Sequence, residues 1–145
     1  MSTKSVAEPG YFCMLCSSGE SVEELVGSMK GASNTADFIQ LFDYKREILR
    51  KLLPAYVIAQ MRVRDGIAKS DSVRNELILL VSGSKNISEA IASAGIKSSK
   101  RFILFSSSKK LSLYFAKKNK VKWRKLRLRL DLSTAAEVVG SALSE

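Results

Sequence analysis

Apolar residues first gather at 10–18 without a helical period, which predicts a strand ended by Gly19. Ser21 and Glu24 then have the spacing of a capping box, so a helix is expected through Lys30 and closed by Gly31. "DFIQLFD", residues 37–43, reads as a second strand. From Tyr44 the pattern turns helical: Ile48, Leu49, Leu52, Leu53, Tyr56, Val57 and Met61 fall near a 3.6-residue period. Pro54 lacks an N–H and crowds the preceding turn, so a kink or a fresh start is expected there. This helix should end near Gly66, with Arg62 and Arg64 in its last turn, where cations suit the helix dipole.

"ELILLVS", residues 76–82, is an almost unbroken apolar run and predicts a strand covered on both faces. A helix follows, with Ile87, Ala90, Ile91 and Ala94 on one stripe, Asn86 as N-cap and Gly95 as C-cap. "RFILFS", 101–106, predicts another strand, and 109–118 a short amphipathic helix. "LRLRLDL", 126–132, alternates perfectly and predicts a half-buried strand. Thr134 and Glu137 are placed to cap a final helix whose stripe holds Ala135, Val138, Val139 and Ala142. Helices and strands mix with short connections and no repeat. The expected fold is a single α/β (α+β) domain over residues 1–145, with a mixed sheet of about four to five strands flanked by helices.

Charge changes this picture. The 145 residues carry a net charge of +10, and its placement is uneven. From Ala90 to Leu130 there are thirteen Lys and Arg and no Asp or Glu. Such asymmetry points to an anionic partner, nucleic acid before membrane, although a basic surface also serves solubility alone. The longest apolar run, Leu52–Ala59, is too short to span a bilayer, and Met1–Gly10 has no apolar core of the secretory kind. A cytoplasmic protein is expected.

The chemical groups are sparse. Histidine is absent, which removes the commonest general base and metal ligand. Cys13 and Cys16 form C-x-x-C without a second pair, and on a strand they point to opposite faces, so neither a zinc site nor a disulfide is expected. The carboxylates are scattered. No catalytic residue, metal or cofactor is assigned. The loop "VSGSKN" has neither the P-loop nor the dinucleotide spacing. Lys85 at the start of the following helix nevertheless adds a full charge to unpaired N–H groups, an arrangement able to hold a phosphate; the same residues also serve as ordinary capping. Trp123, inside "NKVKWRK", is the aromatic best placed to stack on a base, with a lid on the core as the alternative.

The stretch "NELILLVSGSKNISEAIASAGIKSSKRFILF" combines an apolar segment, an S-G-[ST]-[KR]-x-I loop, an "EAI" helix and a terminal Gly-Ile. In these features it resembles the small kinase-binding subunit of the KEOPS (EKC) complex, the TPRKB family in its archaeal form. The likeness is good over about 73–106 and looser over "AYVIAQMRVRDG" and the opening strand. It implies a non-catalytic subunit of the complex that makes threonylcarbamoyladenosine in tRNA. Such a subunit binds the atypical small kinase/ATPase and grips the single-stranded CCA end of tRNA. Carried onto this chain, the family's basic loop residue falls on Lys85. The expected RNA-binding set is Lys85, Asn86, Lys97, Lys100 and Arg101, with Arg62 and Arg64 secondary. The stripe Val138, Val139, Ala142 and Leu143 is the expected kinase face, with packing on the sheet as the alternative, and Gly140 would mark a close approach. A general RNA-binding protein, for example a ribosome-associated one using the basic 109–129 segment, is the competing expectation. A small enzyme using Cys13 is the weakest.

Overall fold

A computed structural model describes residues 10–33, 37–68 and 72–143, without the side chains of residues 132 and 141–143. The reading of Met1–Gly10 therefore falls almost wholly outside the described residues, as do the side chains of Ala142 and Leu143. The elements run β1 (Phe12–Ser17), α1 (Val22–Ala32), β2 (Ile39–Asp43), α2 (Arg46–Arg64), α3 (Val73–Ser82), α4 (Ile87–Ala94), β3 (Phe102–Ser106), α5 (Lys109–Lys118), β4 (Lys122–Lys125) and α6 (Leu132–Leu143). The expected α+β architecture is present, with helices on both faces of a four-stranded sheet.

The strand order is β2-β3-β1-β4 and every pairing is antiparallel, where a mixed sheet was expected. β1 and β2 run the same way, as the connection through α1 favours, but β3 lies between them. β1 in turn lies between β3 and β4. Two strand–helix–strand units thus interlock, and neither makes a parallel ladder.

Alternation along the strands divides the core. Cys13, Phe42, Ile103 and Phe105 face α2, α3, α4 and α6. Phe12, Met14, Cys16, Ile39, Leu41, Phe102 and Leu104 face α1 and α5. A ring cluster closes the first layer: Tyr11 stacks on Phe105 at 5.6 Å and Tyr56 meets Phe105 edge-on at 5.0 Å.

Two expected strands are absent. The run 76–82 belongs to α3, started by Ser72 and ended at Gly83, whose φ of 72° suits glycine. Six consecutive residues, Glu76–Val81, are buried because α2, α4, α6 and β2 surround this helix. A helix covered on all sides has no polar stripe, so its sequence reads like a buried strand. Residues 126–131 have no partner strand among the described residues. Leu126 donates to the Cys13 carbonyl (2.9 Å) and Leu128 to the Tyr11 hydroxyl (3.3 Å), after which the chain leaves β1. Leu126 and Leu128 are still turned towards the core and Arg127 and Arg129 outwards, so the alternation is genuine without a ladder.

The helix ends differ in detail. The Ser21–Glu24 capping box forms, but α1 passes Gly31 and stops at Ser33. Pro54 lies within the continuous helix α2. Asp131, not Thr134, caps α6, accepting from the Ser133 amide at 3.0 Å. Thr134 is buried and accepts from Arg50, which also binds Glu47 and Glu137, anchoring α6 on α2. The Arg50 guanidinium holds the Glu137 carboxyl below its usual range. Among the described residues nothing lies within 4 Å of a Cβ placed on Gly140, so the fold itself makes no close approach there. Gly95 is the glycine that packing demands: a Cβ there would lie 2.6 Å from the Ile91 carbonyl oxygen.

Candidate nucleic-acid interface

The loop between α3 and α4 joins two helices, not a strand and a helix. Lys85 is exposed and makes no ion pair among the described residues. Asn86 is occupied: its side-chain oxygen accepts from the Glu89 amide at 2.9 Å. Asn86→Ala is expected to cost about 1 kcal/mol of stability, the scale of a lost N-cap, read as a shift in denaturation midpoint. At the far end of α4, Lys97 donates to the Ala92 carbonyl and so helps satisfy the last turn.

Lys100 and Arg101 stand at the entry to β3, both exposed, with the Arg101 guanidinium 4.9 Å from the Tyr44 ring centroid. They join Trp123, which the sequence singled out for stacking, and two cations that it offered only as part of a diffuse basic segment. Lys122, Trp123 and Arg124 of β4 line, with Lys100 and Arg101, a shallow hollow of about 360 Å³ floored by Leu15, Cys16 and Ser17. Register explains this grouping. Leu15 pairs with Arg124 and Ser17 with Lys122, so both cations emerge on one face of the sheet, at a corner where Leu15 is only half-buried and Ser17 is exposed. Among the described residues, none of Lys100, Arg101, Lys122 and Arg124 is paired with a carboxylate. Lys85, Asn86 and Lys97 do not line this hollow.

The secondary pair of arginines has separate employment. Arg62 Nε donates to Glu76 Oε2 at 2.8 Å, with side-chain exposures of only 15% and 2%, and Arg62 Nη2 donates to the Ile67 carbonyl. Any phosphate would compete with that pair. Arg64 is exposed and binds the neighbouring Asp65. Arg127 and Arg129 line a groove of about 880 Å³ beside Arg46, Leu49 and Arg50 of α2.

The stripe of α6 divides. Val138 is 1% exposed and belongs to the core with α2 and α3. Val139, beside it, is 39% exposed. Cys13 and Cys16 are both free, buried and on opposite faces. Burial raises the Cys13 thiol far above its usual range and pushes Cys16 up to about 12, so neither is a thiolate nucleophile near neutral pH. The described residues contain no group of three or more Cys, Asp and Glu placed to hold a metal ion, and no helix long and apolar enough to cross a membrane. Compared with known proteins, the chain matches no family model and no curated protein.

Proposed function

We propose that this chain is a non-catalytic subunit of a KEOPS-type tRNA-modification complex in the cytoplasm, binding the small kinase/ATPase subunit and recruiting tRNA through its single-stranded CCA end. The observation that carries the reading is the 73–106 segment. Its likeness to the kinase-binding subunit is accompanied by an exposed Lys85 at a helix start and by Lys100 and Arg101 exposed at the entry to β3. All three are donors suited to phosphate, and the chemistry would belong to other subunits. The exposed Val139 beside a core Val138 supports α6 as a partner face.

Purification from the native source tests the reading. A stoichiometric kinase partner supports it, and co-sedimentation with ribosomal subunits supports the competing RNA-binding reading, which the exposed basic residues of β4 favour. The isolated chain should hydrolyse no ATP above a blank and should stimulate the partner's ATPase.

The loop has its own test. Lys85→Glu is expected to weaken tRNA binding by at least ~1 kcal/mol, the scale of a lost charge-assisted contact with added repulsion. It should also remove any advantage of intact tRNA over tRNA trimmed of its CCA. Both RNAs are titrated against both proteins at one fixed salt concentration, because each neutralised phosphate releases counterions and makes affinity salt-dependent. Equal binding of intact and trimmed tRNA by the unmodified protein would reduce the loop to a capped helix start.

A further inference from the structure

We infer that the outer edge of β4 is a second nucleic-acid site, in which an unpaired base stacks on Trp123 while Lys100, Arg101, Lys122 and Arg124 hold the flanking phosphates. The inference rests on the RNA-binding half of the reading above and not on the kinase partner.

Among the described residues β4 ends the sheet and pairs with β1 alone, and all four of its residues are exposed. Basic residues on an edge strand also discourage pairing with other chains. That purpose does not account for the indole: Trp123 sits mid-strand, 41% exposed, where an edge built only to repel would carry no large apolar ring. The ring is braced from within. It meets Phe12 edge-on at 5.9 Å, so little side-chain freedom remains to be lost when a base stacks on it. On the same side the ammonium groups of Lys109 and Lys125 each lie 5.8 Å from the Phe12 ring centroid. Across the strand edge, and reaching Trp123 itself, lies the hollow with its four cations, none paired with a carboxylate among the described residues. Crowding like charges is unfavourable until a polyanion arrives.

Strand alternation selects among polyanions. Trp123 and Lys125 emerge on one face of the sheet and Lys122 and Arg124 on the other. A flat anionic membrane cannot meet both sets at once. A duplex offers its phosphates but keeps its base faces stacked. A single strand bending across the edge satisfies both, with base on ring and phosphate on cation.

The chain has one tryptophan, so its fluorescence reports this site alone. The full chain is titrated at low salt with an oligoadenylate about six nucleotides long, within the usual span of such sites. Saturable quenching is expected, with an abasic oligonucleotide of equal length binding about tenfold more weakly, as loss of one stacked base implies. The Lys122→Glu/Arg124→Glu variant should weaken binding by about tenfold or more. Lys122→Gln/Arg124→Gln, the gentler change, should weaken it less if the charge-reversed protein melts early.

Equal binding of abasic and normal oligonucleotides would overturn the inference, leaving phosphate attraction only. So would quenching by anionic phosphatidylserine vesicles without quenching by the oligonucleotide. If Lys85→Glu abolishes the signal, the loop is the sole site and the inference fails while the tRNA reading stands. If the oligonucleotide saturates but no kinase partner co-purifies, the inference stands and the complex assignment fails.

Discussion

Arg62→Ala is expected to destabilise the protein by about 3 kcal/mol, a larger effect than any change to the exposed cations. Removing one member of a buried ion pair leaves the other charge in a poorly solvated place, which typically costs 3–5 kcal/mol. Glu76 is nearly inaccessible, and Arg62 Nε approaches it at 2.8 Å from the last turn of α2. The pair ties the end of α2 to the first turn of α3, across the connection through residues 65–72. The double variant Arg62→Ala/Glu76→Gln should recover part of the loss, because the stranded charge is gone. Urea denaturation midpoints of the parent, single and double variants decide the matter. The same variant addresses function. Arg62→Ala should bind tRNA almost normally under conditions where it remains folded. A stable Arg62→Ala protein with weakened tRNA binding would show instead that this arginine serves RNA and that the pair contributes little.

Val139→Glu is expected to abolish capture of the kinase subunit while leaving unfolding cooperative and its midpoint almost unchanged. The two halves of this expectation have separate causes. Val139 is partly exposed, and a charge on an accessible helix face usually changes stability by no more than about 0.5 kcal/mol. Within an apolar interface the same carboxylate would be desolvated without a partner, a cost of several kcal/mol and hence more than a hundredfold in affinity. Val138, one residue back, is the contrasting position, since it fills the layer between α6, α2 and α3. Pull-down of the kinase together with a thermal melt separates the outcomes. If Val139→Glu unfolds the protein, the whole stripe is core and the partner face lies elsewhere.

These two residues show which parts of the fold were legible in the sequence. Elements with a mixed boundary were read well: α5 at 109–118, β3, and α4 with its Asn86 cap, because each carries both its period and its punctuation. α3 was not legible as a helix. Its buried face extends all the way round, and an apolar run so short fits either geometry. Residues 126–131 failed for the opposite reason, since alternation records which side faces the core and not whether another strand lies alongside. The basic hollow was hidden because its parts are far apart in sequence. Lys100 and Arg101 come together with Lys122 and Arg124 only through the β3-β1-β4 register. Nothing about Arg62 alone reveals Glu76 as its partner, as the two belong to different helices. Trp123 was singled out, but its exposure depends on β4 being the last strand of the sheet.

The interlocked strand order also sets a timetable for the nascent chain. β1 and β2 are synthesised first, yet neither has a ladder partner until β3, beginning at Phe102, has emerged. Helices α1 to α4 can form locally beforehand, but the sheet they cover cannot be assembled from the residues then available. Two unpaired strands with apolar faces are left waiting, the condition in which a growing chain is most prone to stick to others. β3 resolves this in one step by inserting between them, and β4 is then laid down on the remaining side of β1. The basic edge is thus the last part of the sheet to exist, so that a ribosome-bound chain, surrounded by RNA throughout its synthesis, assembles its cationic corner only after the other three strands have paired.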